Sequence, residues 1–396
     1  MKRSSWIESI TSTIGSIEAL ASEAREELST LDALLFDAWN LGENILLAWT
    51  QDRTERRFLA VRHYKILEPF ESGSTQADVR AERELINTVF AGPKLVEPPV
   101  FHRLNVSLGR AGRVIRADFR PNSQLSPELV SGLVTRYGVS LVTERAVMLL
   151  DAVGFSLHTP LEQVAMLNSL SCSVNSAYRQ LVSEDVQINF ARSSTGDGFY
   201  IWNRSRTADA GVALYKLMML ILTDNAVAQR KAKRFPVPKL RTAFHIGEHY
   251  EFYQVEALNP TTFSYIVGQV TIELARIVEK ALPGQILLGD FSLSIRDEKT
   301  GGEISHRTPD FIERAASMLS QLEGLTVADD QIAEIRCYLT GETAPGGGFS
   351  VGRYSIRDKH GMTRSVYNAK INLHLKRGKP IFLGMQHSDL AQWLTA

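Results

Sequence analysis

Apolar residues recur at alternating steps of three and four through the first forty residues of the chain. They are Ile7, Ile10, Ile14, Ile17, Ala21, Ala24, Leu28, Leu31 and Leu35. Sustained over about four heptads, this pattern favours a helix packed along a narrow seam, in a coiled coil or against a partner helix. An amphipathic helix that lies on its own domain produces the same pattern, so both interpretations stay open. We place a candidate dimerisation helix at residues 5–36, within an N-terminal helical and mixed region of residues 1–141.

Between Arg145 and Asp290 short apolar runs alternate with segments of helical period. In chain order these are a strand "RAVMLLDAV", a helix from Thr159, a hairpin "VQINFARSSTGDGFYIWN", an apolar helix from Gly211, a strand "LRTAFHIGEHYEF", a helix "GQVTIELARIVEKAL", and a strand after "PGQ". That order predicts an α+β fold, an α/β sandwich with helices packed on a sheet, over residues 142–295. The helix from Gly211 is expected to be too short to span a bilayer and to be buried core.

The first of these helices has a marked start. Thr159 is the expected N-cap, Pro160 occupies the first helical position, and Glu162 follows three residues after the cap. Its predicted buried face comprises Leu161, Val164, Leu167, Leu170, Val174, Tyr178 and Leu181.

Strands and turns dominate the end of the chain, after a helix "TPDFIERAASMLSQLEGL". Ala369, Ile371 and Leu373 alternate with polar residues, which indicates a strand with one buried face. We predict a small antiparallel β domain at residues 325–396.

Length and charge narrow the class of protein. A chain of 396 residues favours two or three domains. Because Lys plus Arg and Asp plus Glu both total 44, the chain lacks the basic excess of a dedicated nucleic-acid binder. The basic run "QRKAKRFPVPKLR" is expected to be a solvated connection, the alternative being a positive rim that attracts an anionic substrate. Two distant cysteines, no signal peptide and no apolar stretch of bilayer length predict a cytoplasmic protein without a membrane partner.

Two aspartates stand where an apolar strand runs into a glycine turn: Asp151 in "LLDAVGFS" and Asp197 in "STGDGFYIW". Each alone has the composition of an ordinary turn. The element order, however, puts Asp151 at the end of a central strand and Asp197 at the tip of a hairpin beside that strand. Two carboxylates that converge there would bind two divalent cations, which neutralise a triphosphate and activate a hydroxyl. The backbone N–H groups of the loop after Asp151 are placed to hold phosphates.

The segment from about Arg145 to Asp290 resembles the class III nucleotide cyclases. The matching pieces, in family order, are "LLDAVGFS", "STGDGFY", "RTAFHIGEH", "VGQVTIELARI" and "PGQILLGD". The resemblance implies that Asp151 and Asp197 hold two Mg2+ or Mn2+ ions, with the backbone of Ala152 as a further ligand. It also implies that Arg276, the arginine of the family's V-N-x-x-x-R helix motif, stabilises charge on the reacting phosphate.

The same resemblance implies a triphosphate site on the backbone N–H groups of Val153, Gly154 and Phe155. It further implies a homodimer with active sites at the interface, in which Arg276 reaches across from the other subunit.

Three positions depart from the family pattern. Ile272 replaces the asparagine of the helix motif, and Ser193 and Tyr265 stand where purine cyclases carry a base-reading lysine and aspartate. A bulky phenol fills space and suits a smaller base. The domain is therefore either a catalytically inactive nucleotide-binding sensor or an active pyrimidine cyclase, and a divergent adenylate or guanylate cyclase is a third alternative. We favour activity because both aspartates and Arg276 are retained.

The C-terminal segment "VGRYSIRDKHGMTRSVYNAKINLHLKRGKPIFLG" is similar to the sensor domain of some antiphage nucleotide cyclases. With the altered base positions, the chain most resembles the pyrimidine cyclases of the Pycsar defence system. That implies conversion of UTP, favoured over CTP, to the 3',5'-cyclic monophosphate and pyrophosphate, as an alarm for a separate effector.

Other polar residues have simpler interpretations. His245 and His249 are four apart, but they fall on a strand and its end, so a structural role is favoured over a metal pair. Asp358 and His360 lie in "DKHG", a turn sequence before a strand. Outside the family frame, Arg276 would pair with a carboxylate on its own helix.

Overall fold

The structure of the protein is a computed structural model, which describes residues 21–66, 75–118, 123, 125–186, 188–204, 209–233, 235–255, 262–296, 303–343 and 350–390. The chain divides into two compact units. The first comprises residues 1–143 and 250–267, and the second comprises residues 144–249 and 268–396.

The first unit has a three-stranded antiparallel sheet between two helical layers. Its elements are α1 (Ser22–Trp39), β1 (Asn44–Gln51), β2 (Glu55–Arg62), α2 (Gln76–Ala91), α3 (Pro98–Leu108), β3 (Gly112–Asp118) and α4 (Pro127–Arg136). Helices α1 and α4 pack on Trp49 and Phe58, while α2 and α3 pack on Leu47 and Leu59, on the other face of the sheet. The N-terminal helical and mixed region that the sequence analysis placed at residues 1–141 remains a prediction.

Helix α1 distinguishes between the two interpretations of the N-terminal heptad pattern, for the residues that it contains. Ala24, Leu28, Leu31 and Leu35 are all buried in the core of their own unit. In these residues the seam therefore packs on its own domain, the second of the two interpretations, and is not available to a partner helix. The remaining heptad positions, Ile7 to Ile17, lie outside the described residues.

From residue 139 the chain alternates strands and helices. The elements are β4 (Val139–Ala152), α5 (Pro160–Ser183), β5 (Phe190–Ser194), β6 (Gly198–Asn203), α6 (Ala210–Lys231), β7 (Leu240–Val255), β8 (Thr262–Val267), α7 (Gln269–Lys280), β9 (Ile286–Gly289), β10 (Ser292–Arg296), β11 (Glu303–Arg307), α8 (Thr308–Leu319), β12 (Thr326–Val327), β13 (Asp330–Leu339), β14 (Arg353–Arg357), β15 (Thr363–Leu375) and β16 (Ile381–Gly384). Short 3-10 turns occur at Asn40–Gly42, His63–Lys65, Gly109–Ala111, Phe155–Leu157, Ser320–Leu322 and His387–Leu390. The predicted α+β fold is confirmed.

The sheet of the second unit places β4 centrally. Its strands follow the order β12-β13-β15-β9-β7-β4-β6-β5, with β14 and β16 paired to β15. Apolar residues of α5, α6 and α8 share one core with these strands. The antiparallel β region predicted at the C-terminus is present, and β15 pairs directly with β9, so its strands continue the same sheet. The sequence patterns did not predict β8 or β13.

Two helices differ from expectation in detail. The buried face of α5 consists of Met166, Leu170, Ser173, Val174, Ala177 and Leu181. Leu161, Val164 and Tyr178, which were predicted on that face, are exposed. The predicted start of α5 is confirmed, since Thr159 and Glu162 form a reciprocal capping box.

Helix α6 is longer than its apolar core suggested. By length and composition it is the one helix of the described residues that qualifies to cross a membrane, yet most of its apolar window is buried inside the protein. The prediction that it is buried core is confirmed, whereas the prediction that it is too short was wrong.

Candidate active site

The strand pairing brings the two predicted aspartates together. Asp151, at the end of β4, lies opposite Gly198, the first residue of β6, and Asp197 precedes that glycine in the β5–β6 turn. The N–H of Ala152 donates to the carbonyl oxygen of Asp197 at 3.0 Å. The register therefore fixes the backbones of Asp151 and Asp197 side by side at one edge of the sheet.

Gly198 permits this close approach. A Cβ atom at this position would lie 1.8 Å from the carbonyl oxygen of Leu150, far inside van der Waals contact. Because a backbone oxygen cannot move without breaking the strand pairing, only glycine fits here. The glycine next to Asp197 is thus a packing requirement of the hairpin.

The carboxylate of Asp151 is buried and paired with an arginine. The residue is 8% exposed, and the Nε of Arg241 donates to its Oδ2 at 2.5 Å. Burial raises the pKa of Asp151, the Arg241 guanidinium opposes that rise, and the charge of Asp197 adds to it, with a raised pKa as the net result. Arg241 is therefore paired with the buried carboxylate of Asp151, and the charge of Asp197 lies beside that pair.

Arg241 is the site residue that the sequence patterns did not single out. It appeared without a role of its own, in the basic run "QRKAKRFPVPKLR" and at the start of the matching piece "RTAFHIGEH", yet it lies at the start of strand β7 beside the end of β4. It stands 90 residues from Asp151 in the chain, and no local pattern reports such a pairing. The position of Arg241 at the start of the predicted strand "LRTAFHIGEHYEF" was the available signal.

The loop after Asp151 leads directly into α5. The N–H of Val153 donates to the carbonyl oxygen of Lys239 at 2.9 Å, so this group of the predicted triphosphate site is engaged within the protein. Gly154 adopts a left-handed conformation with φ of 67°. Phe155 starts a 3-10 turn that precedes α5. The proposed phosphate contacts of Val153, Gly154 and Phe155 remain predictions.

Arg276 lies on α7, and α7 is tied to the aspartate hairpin. The hydroxyl of Tyr200, on β6, donates to the carbonyl oxygen of Thr271 in the first turn of α7 at 3.1 Å. Burial raises the pKa of Tyr200, and the positive charge of Arg276 partly offsets the rise. The guanidinium of Arg276 is therefore close enough to Tyr200 to influence its ionisation.

The side chain of Arg276 has contacts on two sides. Nη1 lies 3.5 Å from Oε2 of Glu279, on the same helix. Nη2 lies 3.3 Å from Nε2 of His360, in the turn between β14 and β15. That turn is the predicted "DKHG" turn, and the Asp358 carboxylate closes it by accepting the N–H groups of His360 and Met362.

The three positions that depart from the cyclase pattern lie in different places. Ser193 is on β5 opposite Tyr200, and Ile272 is half exposed on α7. Tyr265 is on β8 in the first unit, where its ring stacks on Phe252 with centroids 5.5 Å apart. The proposed base-reading role of Ser193 and Tyr265 remains a prediction.

The donor atoms of the site fit hard divalent cations. The carboxylates of Asp151 and Asp197 and the carbonyl of Ala152 are oxygen donors, which Mg2+ and Mn2+ prefer. Over the described ranges of the chain, no group of three or more His, Cys, Asp and Glu side chains is placed to hold a metal. His245 and His249 both lie on β7, and the structural role expected of them remains a prediction.

No protein-family model matches this chain, and no curated protein matches it. Solved structures similar to it include the guanylyl cyclase Cya2, at 12% identity over 58% of this chain and 92% of that one, with a TM-score of 0.35. The adenylyl cyclase CyaB from P. aeruginosa is 15% identical over 58% of this chain and 95% of its own, with a TM-score of 0.34. The guanylate cyclase domain of RhGC from Catenaria anguillulae, solved with GTP, is 10% identical over 60% of this chain and all of its own, with a TM-score of 0.36.

Proposed function

We propose that the second unit is a metal-dependent nucleotidyl cyclase. The observation that carries the proposal is the pair of carboxylates, Asp151 and Asp197, which the β4–β6 register places side by side. An arginine is held against one of them, and a second arginine lies on a helix bonded to the same hairpin. A turn role alone does not account for a buried carboxylate with a raised pKa beside a second carboxylate.

The proposed reaction assigns each group a task. Asp151, Asp197 and the Ala152 carbonyl would hold two Mg2+ or Mn2+ ions, which supply charge neutralisation for the triphosphate and acidify the ribose 3'-hydroxyl. The 3'-oxygen would lose its proton to water and bond to the α-phosphorus, while the bond from that phosphorus to the bridging oxygen breaks and pyrophosphate leaves. Arg276 would stabilise the negative charge that builds on the α-phosphate oxygens.

The finer proposal is a pyrimidine nucleotide substrate, with UTP favoured over CTP. Ser193 and Tyr265 replace the lysine and aspartate expected of a purine pocket, and this substitution supports a smaller base. By resemblance we further propose a cytoplasmic homodimer in which Arg276 serves the partner's site. Its cyclic product would signal phage infection to a separate effector, without nucleic-acid or membrane partners.

The test is turnover of purified protein with ATP, GTP, CTP and UTP offered separately with Mn2+, with products resolved by chromatography and mass. We expect cyclic UMP and pyrophosphate, and loss of both in Asp197→Asn. Asp329→Asn is the matched control, because that carboxylate is 93% exposed and lies in a different turn. A cyclic purine product would refute the pyrimidine assignment alone, and unchanged turnover by Asp197→Asn would refute the two-carboxylate site.

A second candidate is nucleotide binding without turnover. Ile272 favours it, because an isoleucine cannot make the hydrogen bond to ribose that an asparagine makes. This candidate predicts that a nucleoside triphosphate with Mn2+ raises the melting temperature while no pyrophosphate is released.

A further inference from the structure

We propose that the turn between β14 and β15 positions Arg276 for catalysis, with Arg364 and His360 as its positioning residues. The inference rests on the proposed function, since it assigns regulation of the same reaction to the C-terminal strands. It is drawn from contacts within the second unit that join residues about ninety positions apart.

Arg364 forms a buried ionic clamp between β15 and α7. Its side chain is 10% exposed and pairs through Nη1 with Oε1 of Glu273 on α7. Its Nη2 and Nε donate to Oδ2 of Asp358 at 3.1 and 3.3 Å. Burial opposes the charge of Arg364, but Glu273 and Asp358 outweigh it, so the pKa of this arginine is raised. A guanidinium held between two carboxylates in this way has a defined orientation.

Asp358 connects the clamp to the shape of the turn. Its Oδ1 accepts the N–H groups of His360 and Met362 at 2.8 and 3.0 Å, while its Oδ2 accepts from Arg364. The hydrogen bonds of the turn lower the pKa of Asp358 in spite of its burial. One carboxylate therefore fixes both the turn backbone and the arginine that grips α7.

His360 is the residue of the turn that contacts Arg276. Its Nε2 faces Nη2 of Arg276 at 3.3 Å. Glu279, whose Oε2 lies 3.5 Å from Nη1 of the same guanidinium, belongs to the same helix as Arg276 and moves with it. His360 thus joins Arg276 to the turn between β14 and β15, and the clamp on Glu273, one helical turn earlier, keeps that contact in register.

The placement has a functional consequence. An arginine that stabilises charge only in the transition state must be held in one orientation before the reaction begins. The turn that holds it belongs to the C-terminal segment, whose strand β15 pairs with β9. Any ligand or partner that shifts the β14–β15 turn would therefore change the rate, with little effect on nucleotide binding.

The first test is a double-mutant cycle. His360→Ala is expected to lower kcat about tenfold, the effect of one hydrogen bond to a charged group, while KM changes less than about twofold. In an Arg276→Ala background, His360→Ala should cause no further loss of kcat. With Arg276 intact, His360→Gln should have a higher kcat than His360→Ala. Lys359→Ala, an exposed neighbour in the same turn, is the control. The inference would be overturned if the losses of kcat from His360→Ala and Arg276→Ala were additive. It would also be overturned if the parent were active and His360→Ala had the same kcat.

The second test does not need catalysis. Arg364→Met should raise amide hydrogen exchange in residues 269–280 about tenfold, and Glu273→Gln should do the same if Arg364→Met folds poorly. Arg336→Met, which removes an exposed pair with Glu334, should leave that exchange unchanged. Should the parent form no cyclic product, the proposed function fails, and the exchange result still decides whether the turn holds α7. Unchanged exchange in both clamp variants would overturn the positioning role in either case.

Discussion

Asp151→Asn is expected to abolish activity and, in the absence of divalent cations, to stabilise the protein. The substitution keeps the size of the side chain and removes a charge that is 8% exposed and lies beside Asp197. It also removes the ion pair to Arg241, whose side chain is 30% exposed. Because ion pairs in contact with solvent contribute about 0–1 kcal/mol to stability, this loss is small. Single stabilising substitutions commonly contribute about 0.5–2 kcal/mol, and active sites often sacrifice stability for activity. We expect a net gain of about 1 kcal/mol, or about 2–4 °C in melting temperature for a unit of this size.

The pH dependence follows from the raised pKa of Asp151 in the folded protein. Between the unfolded pKa, about 3.9, and the folded value, the folded state holds a proton that the unfolded chain has released. The contribution of Asp151 to stability therefore falls as pH rises through this window and stays low above it. The stability advantage of Asp151→Asn should be smallest below pH 4 and reach its full value near pH 7.

Thermal unfolding in EDTA and then in Mn2+ measures both effects. Mn2+ at about one hundred times its Kd should stabilise the parent by about 2.7 kcal/mol, which is about 5–11 °C, and should not stabilise Asp151→Asn. Asp329→Asn should behave as the parent does. The reasoning is refuted if Asp151→Asn melts below the parent in EDTA at pH 7, or if Mn2+ shifts both proteins equally.

Three further substitutions test the packing that supports the site. Gly198→Ala should lower the free energy of unfolding by about 1–3 kcal/mol and abolish turnover, because the new Cβ meets a backbone oxygen. The control is Gly211→Ala, where the atom nearest to the new Cβ is 3.4 Å away, and its melting temperature and activity should stay near those of the parent. Tyr200→Phe removes the hydrogen bond from β6 to α7 and should lower kcat about two- to tenfold in steady-state assays, whereas an unchanged kcat would show that this bond does not place α7. Leu28→Ala should lower the free energy of unfolding, measured by denaturant titration, by about 2–5 kcal/mol. Leu41→Ala, at an exposed site, should lower it by under about 0.5 kcal/mol, and equal losses would contradict the burial of the α1 seam.

The sequence located the features that depend on neighbouring residues. Asp151 and Asp197 were predictable at strand ends because an apolar run followed or preceded by glycine marks the boundary of a strand. The start of α5 was predictable because Thr159 and Glu162 satisfy each other within one turn. In each case the interaction that fixes the structure spans only a few residues.

Interactions between distant segments were not predictable in this way. Arg241 pairs with a carboxylate 90 residues earlier, and Arg364 pairs with Glu273 across 91 residues. Strands β2 and β3 pair although about fifty residues separate them, so no pattern of neighbouring residues reports this pairing. The face of α5 was mispredicted at Leu161 and Val164 because this helix carries more apolar positions than its core contact covers.

The candidate site is a property of the sheet more than of its loops. Asp151 ends β4, Asp197 is held by the first pair of β6, and Arg241 begins β7, so three neighbouring strands fix the charges at one edge. Helix α7, which carries Arg276, is bonded to β6 by Tyr200 and to the turn before β15 by Arg364. Groups placed by strands keep their relative positions better than groups placed by loops. In the proposed cyclase, therefore, the part of the arrangement most open to adjustment is the attachment of α7, and we expect control over the proposed reaction to act there.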